Sequence, residues 1–166
     1  YNAYWIGTNS GLWIINKHTA KVQHLVESAA LPSNHITAIC VTPNGNVYAA
    51  TDKGIFRFDG YTYLSVNTDN AALPTDDITA MVCDKDGNVW IGTKDKGLVL
   101  MSNYRFRIFN NRNSILTDNA VKGMTKDAEE NIYVQLANGS IVKIGKSGMH
   151  LEDISQIELN GFAKTN

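Results

Sequence analysis

Short apolar runs of four to six residues, rich in β-branched and aromatic side chains, recur between clusters of Gly, Asp, Asn and Thr. One set is Ile36 to Val41, Val47 to Ala50, Ile55 to Phe58 and Tyr63 to Val66. The next is Ile78 to Cys83, Val89 to Gly92, Leu98 to Met101 and Arg105 to Phe109. Side chains of this mixture suit half-buried sheets. No long window carries helical periodicity, so the pattern predicts strands throughout. Asp52-Lys53-Gly54 and Asp59-Gly60 are turn punctuation between them. Pro43-Asn44-Gly45-Asn46 and Lys85-Asp86-Gly87-Asn88 predict type I′ hairpins, with positive φ at both central residues. Ala128-Glu129-Glu130-Asn131 lacks that glycine and predicts a different or looser turn.

The runs repeat. Trp5-Ile6-Gly7-Thr8 before Gly11-Leu12 returns as Tyr48-Ala49-Ala50-Thr51 before Gly54-Ile55, then as Trp90-Ile91-Gly92-Thr93 before Gly97-Leu98. A worn fourth copy is Tyr133-Val134-Gln135-Leu136 before Gly139-Ser140. The anchors at 5, 48, 90 and 133 lie 43, 42 and 43 residues apart. A second block precedes the anchors: Leu31-Pro32 to Ile39, Leu73-Pro74 to Met81, and Leu116-Thr117 to Met124, which has lost the proline. Four short strands in about 43 residues describe a β-propeller blade. The predicted fold is all-β, with about four blades of four antiparallel strands, forming an arc of a larger propeller. Approximate blade limits are 1–30, 31–72, 73–115 and 116–166. Trp5, Tyr48, Trp90 and Tyr133 are expected to pack blade against blade. Gly7, Ala49 and Gly92 are read as the small residues that let neighbouring strands approach.

The ends are irregular. The chain opens at the second strand of its first blade, as expected of an excised or processed piece of something longer. Ile154 to Leu159 resembles Ile36 to Val41 and could begin a further blade or complete the first. Gly139 to Ile154 is too short for a full repeat, which predicts a shortened or missing fourth strand in the last blade. A closed four-blade ring is the alternative to an arc.

Composition narrows the possible functions. Of 166 residues 43% are hydrophobic and 19% charged, with net charge −1, as in an ordinary globular domain. There is no basic run for nucleic acid, and no window of eighteen apolar residues for a membrane span. Cys40 and Cys83 sit one position out of register. Adjacent strand positions face opposite sides of a sheet, so a disulfide between them is not expected and the compartment is left open.

Candidate chemistry is sparse. Gly-x-Ser-x-Gly is absent. Gly145-Lys146-Ser147 lacks the earlier glycine of a phosphate loop and reads as a turn. Asp84-Lys85-Asp86-Gly87-Asn88 has its glycine too early for a calcium loop. His18, His24, His35 and His150 have no zinc spacing. Asp76-Asp77 is a neighbouring carboxylate pair in a turn, a poor arrangement for flanking a glycosidic bond. Tyr61, Tyr63, Tyr104, Arg105 and Arg107 could form a sugar platform, but they lie toward the outer edge of the blades. No catalytic residue, metal ligand or cofactor is expected, and the binding residues are not identified.

The sequence Leu73-Pro74, Ile78-Thr79-Ala80-Met81, Asp86-Gly87-Asn88-Val89-Trp90-Ile91-Gly92-Thr93 and Gly97-Leu98 resembles the two-component regulator propeller repeat. The likeness covers most of residues 1–144. It implies the periplasmic sensor region of a hybrid two-component histidine kinase of the Bacteroidetes type, which often detects oligosaccharides. The implied function is a non-catalytic sensor segment, with an oligosaccharide ligand and with the remaining blades, or a second copy of the chain, as partners. A polysaccharide lyase or hydrolase and a structural interaction propeller are the alternatives.

Overall fold

The structure is a computed structural model that describes residues 2–27, 30–103 and 105–152. Fifteen strands form four antiparallel sheets, and the described residues contain no helix. The first sheet holds β1 (Ala3–Thr8), β2 (Gly11–Asn16) and β3 (Val22–Leu25). The second runs β4 (Ile36–Val41), β5 (Val47–Thr51), β6 (Gly54–Phe58) and β7 (Tyr63–Val66). The third runs β8 (Ile78–Cys83), β9 (Val89–Thr93), β10 (Leu98–Ser102) and β11 (Arg105–Phe109). The fourth runs β12 (Val121–Lys126), β13 (Ile132–Leu136), β14 (Ile141–Gly145) and β15 (Gly148–Glu152). Each sheet is a simple meander, with β4, β8 and β12 as the inner strands of their blades. Sheets pack against their sequence neighbours, and no comparable packing joins the fourth sheet to the first among the described residues. The described residues form an open arc of propeller blades.

The core lies between sheets. Tyr48, Ala50 and Ile55 of the second blade meet Ile78, Met81 and Ile91 of the third. Trp90 and Leu98 of the third meet Val121, Ile132 and Val134 of the fourth. Leu12 and Trp5 of the first meet Ala49 and Phe56 of the second. The close-approach position is set by the strand registers: Gly7 lies opposite Leu12, Ala50 opposite Ile55 and Gly92 opposite Leu98. Ala50, not Ala49, is therefore the equivalent of the two glycines. At Gly92 a side chain is excluded, since a Cβ there would lie 2.5 Å from Val121 Cγ1.

Backbone latches tie each blade to the next. Gly11, Gly54 and Gly97 donate their N–H groups to the carbonyls of Asn34, Asp76 and Asn119, at 2.9, 2.8 and 2.8 Å. The side chains of those three residues accept from Glu27 N–H, Thr68 N–H and Asn111 N–H in the loop leaving the preceding outer strand. Asn and Asp alternate there because the position needs an acceptor oxygen and not a charge. A second device sits on the inner strands. Each carries a β-bulge at its start, between Ile36 and Ala38, Ile78 and Ala80, and Val121 and Gly123. A bulge frees one residue from the ladder. The residue is Thr37 in β4 and Thr79 in β8, whose hydroxyls donate to the carbonyls of Ile78 and Val121 at 2.8 and 2.7 Å. Lys122 takes that place in β12.

Several expectations are corrected. Cys40 and Cys83 form a disulfide with Cα atoms 5.7 Å apart. Blades stack face to face, so the far face of one sheet meets the near face of the next. Two cysteines one position out of register are thereby brought together across the gap, not pointed away from each other. The hairpin turns carry positive φ only at Gly45 and Gly87. They are three-residue loops in which a type I turn ends in a left-handed glycine, closed by Gly45 N–H to Thr42 O at 2.8 Å and Gly87 N–H to Asp84 O at 3.2 Å. The fourth blade uses the same turn, with Glu130 N–H on Asp127 O at 3.2 Å and Glu130 itself at φ 66°. Its fourth strand is present as β15, reached from β14 by a two-residue turn. Ile154 to Leu159 lies outside the described residues.

Glu130 is forced into a conformation that costs a non-glycine residue roughly 1–2 kcal/mol. Against this stands one half-exposed ion pair with Lys126, worth under about 1 kcal/mol. Glu130→Gly is expected to raise stability by about 0.5–1 kcal/mol, read as a higher urea midpoint. An unchanged or lower midpoint counts against strain at this turn.

Candidate functional site

The residues singled out by sequence are mostly occupied in holding the blades together. Asp84 accepts from the N–H groups of Asp86 and Asn88 through Oδ1, and from Asn88 Nδ2 and Trp90 Nε1 through Oδ2. Its carboxylate is committed to the turn, as the hairpin reading requires. Asp127 repeats the arrangement with Asn131 and the Tyr133 hydroxyl. Asp76 accepts from Thr68, whereas Asp77 pairs with Lys94 at 3.0 Å. The two neighbouring carboxylates serve different partners and share no cleft.

His35 lies 3.6 Å from Asp52, and both are substantially exposed. Ser33 lies beside them, and its hydroxyl oxygen accepts from the His35 backbone N–H at 3.1 Å. His24 stacks on Trp13 with ring centroids 3.8 Å apart and contacts Ser10 O, and His150 contacts Ser147. Tyr61 is almost fully exposed, Tyr63 packs on Phe58, and Arg107 lies over Phe109 on another blade. They form no common platform, and Tyr104 lies outside the described residues. Gly145-Lys146-Ser147 is the β14–β15 turn. No group of His, Cys, Asp and Glu that could hold a metal ion occurs among the described residues.

The resolved titration shifts all favour the charged forms. Asp52 is held below the usual carboxylate range, chiefly by the Ser33 hydroxyl, and Asp59 by the N–H groups of Thr62 and Tyr61. Burial pushes Asp127 upward, but donors on Asn131 and Tyr133 outweigh it and leave it lowered. Lys94 is raised by Asp77 and Lys143 by Tyr133. A general acid or base is tuned the other way, toward neutrality near working pH. These shifts arise from turn hydrogen bonds and surface pairs. A carboxylate with a lowered folded value stabilises the fold fully above its unfolded pKa and loses that contribution as pH falls through the folded value. The urea midpoint is therefore expected to hold from neutral pH down to the ordinary carboxylate range and to fall below it. Asp127→Asn is expected to flatten part of that acid limb. A midpoint with no acid limb counts against these pairings.

Two surfaces remain. One is a shallow groove across the turns of the third and fourth blades, formed by Asp86, Glu129, Asn131 and Lys146 and continuing past Lys143 to His150. It offers donors and acceptors of both charges, open to water. The other is the inner surface of the arc, where β4, β8 and β12 present Val41, Met124, Thr125 and Lys126 around the disulfide. Sequence reasoning missed the groove, because it is assembled from turn residues of two blades that carry no motif.

Residues 30–53 and 72–95 match the family described as two component regulator propeller. Each match spans the approach to an inner strand, the hairpin turn and the second strand. No curated protein matches the chain. Among solved structures, the extracellular domain assigned to a hybrid two component system of B. thetaiotaomicron superposes with TM-score 0.72 at 21% identity, over 91% of this chain and 22% of that one. PorZ, a surface component of the type-IX secretion system of Porphyromonas gingivalis, gives 0.61 at 24% identity, over 82% and 22%. Virginiamycin B lyase of Staphylococcus aureus gives 0.66 at 13%, over 92% and 52%. The chain thus spans about a fifth of the length of the first two. An extracellular domain of a two component system, a secretion component and a lyase share this architecture, so the likeness establishes the propeller and leaves the activity to other observations.

Proposed function

From the two component regulator propeller repeats that the chain carries, we propose that it is a non-catalytic segment of the extracytoplasmic sensor of a two-component signalling protein. It detects oligosaccharides and passes a conformational signal to a histidine kinase. The observation that carries this reading is the family match, repeated in two successive blades at the same place in each. The Cys40–Cys83 disulfide supports a periplasmic location, since such bonds persist in oxidising compartments. The groove over the third and fourth blades supplies the mixed donors and acceptors that sugar hydroxyls need. A ligand there acts on a kinase only by binding one arrangement of the sensor better than another.

The test is calorimetric titration of the chain with neutral and acidic oligosaccharides, with chromatography of the same mixtures for cleavage. Binding without cleavage, weakened at least tenfold by Lys146→Glu, is the expected result. Cleavage points to a polysaccharide-degrading propeller, and the absence of both to an interaction scaffold. Either result overturns the sensor reading of this chain.

A further inference from the structure

The Cys40–Cys83 disulfide lies on the inner surface of the arc. It joins β4 to β8, each the terminal strand of its sheet. Both cysteines line the hollow there, with Ile39, Val41, Met81 and Val82 around them. Val41, beside Cys40, is 48% exposed. Cys40 itself is half-buried, whereas Cys83 is only 6% exposed.

The next interface is built without such a bond. Strand registers set Cys40 opposite Tyr48 and Val82 opposite Trp90, and set Cys83 opposite Val89 and Lys126 opposite Ile132. Val82 and Lys126 therefore hold, between the third and fourth blades, the places that Cys40 and Cys83 hold between the second and third. That interface closes with the Thr79 hydroxyl on Val121 O and a buried apolar core. The second and third blades have the same two devices, Thr37 on Ile78 O and a core that includes Tyr48, Ile55, Ile91 and Val99. The disulfide is a second clasp on a contact that the repeat also makes without one.

We propose that Cys40–Cys83 is a thiol–disulfide exchange site, opened in the folded chain by a small dithiol reductant. The attacking thiolate bonds to the sulfur of Cys40, the more exposed cysteine, as the bond between the two cysteines breaks and Cys83 leaves as a thiolate. The second thiol of the reagent then displaces Cys40. Two electrons pass from the dithiol to the cystine, the reagent departs as its own disulfide, and its two thiol protons end on Cys40 and Cys83. The product keeps the Thr37 link and loses the clasp three residues further along β4. The second and third blades then hold each other as the third and fourth do, which makes their contact sensitive to redox poise. The inference does not depend on whether the chain senses an oligosaccharide.

The test keeps the whole chain folded in dithiothreitol without denaturant, traps free thiols by alkylation and counts them by mass. Urea jumps extrapolated to the same buffer give the global unfolding rate. The expected result is reduction that rises with dithiothreitol concentration and runs at least about tenfold faster than global unfolding, with the strand circular-dichroism spectrum kept. Amide exchange then quickens in β4 and β8 and stays unchanged in β13 and β14. Reduction that ignores the dithiol concentration and matches global unfolding overturns the proposal, since the bond is then reached only in the unfolded chain. So does loss of the spectrum on reduction, or unchanged exchange in β4 and β8. The sulfur attacked is read with reduced glutathione, quenched early and mapped by peptide. Glutathione on Cys40 with alkylated Cys83 is expected, and the reverse pattern overturns the assignment.

Discussion

Trp90→Ala is expected to lower stability by about 3–5 kcal/mol, the usual loss for truncating a buried aromatic. Trp90 is 8% exposed in the interface between the third and fourth blades and stacks near Phe109 at 6.0 Å. Its indole N–H also donates to Asp84 at 3.1 Å. Alanine removes both the packing and the donor. Trp90→Phe keeps most of the packing and is expected to cost only about 1–3 kcal/mol, the scale of one hydrogen bond to a charged group. Tyr61→Ala, at an almost fully exposed position, is the control and should stay within about 0.5 kcal/mol. Urea denaturation followed by circular dichroism measures all three. A loss under about 1 kcal/mol for Trp90→Ala shows that this interface does not hold the blades together.

Reducing the Cys40–Cys83 bond is expected to have an effect of similar size. It joins residues 43 positions apart, one repeat period. Closing a loop of that length removes unfolded-state entropy worth about 4 kcal/mol. The bond also pins the inner strand of the second blade to that of the third, beside the Thr37 and Thr79 hydroxyl links. The double variant Cys40→Ala, Cys83→Ala should match the reduced protein, and reductant should no longer shift it. If reductant leaves the wild-type midpoint in place, the bond does not contribute to the fold.

The strands, their order and the blade architecture were legible because a 43-residue period ties each apolar run to its copies. The turns were legible in place but not in type. Asn-Gly and Asp-Gly suit two hairpin geometries, and Thr42 or Asp84 before them decides for the longer one by closing the loop. Glu130 hid the fourth turn, because the Asp127–Asn131 bonds hold a left-handed residue there without glycine. The disulfide was missed by applying the two faces of a strand to a single sheet, when the partner lies on the facing side of the next blade. The groove was not legible at all. Asp86 and Lys146 are turn residues in sequence, and only the stacking of two blades makes them neighbours.

The links between blades set how the chain comes together in time. Thr37 reaches 41 residues ahead, Thr79 reaches 42, and the disulfide spans 43. None of these skips a blade. Among the described blades, assembly therefore runs between sequence neighbours, and a nucleus in the second and third blades can grow outward one blade at a time. Opening runs the same course in reverse. The first blade, whose sheet holds three strands where the others hold four, is the segment whose amides should exchange before the rest.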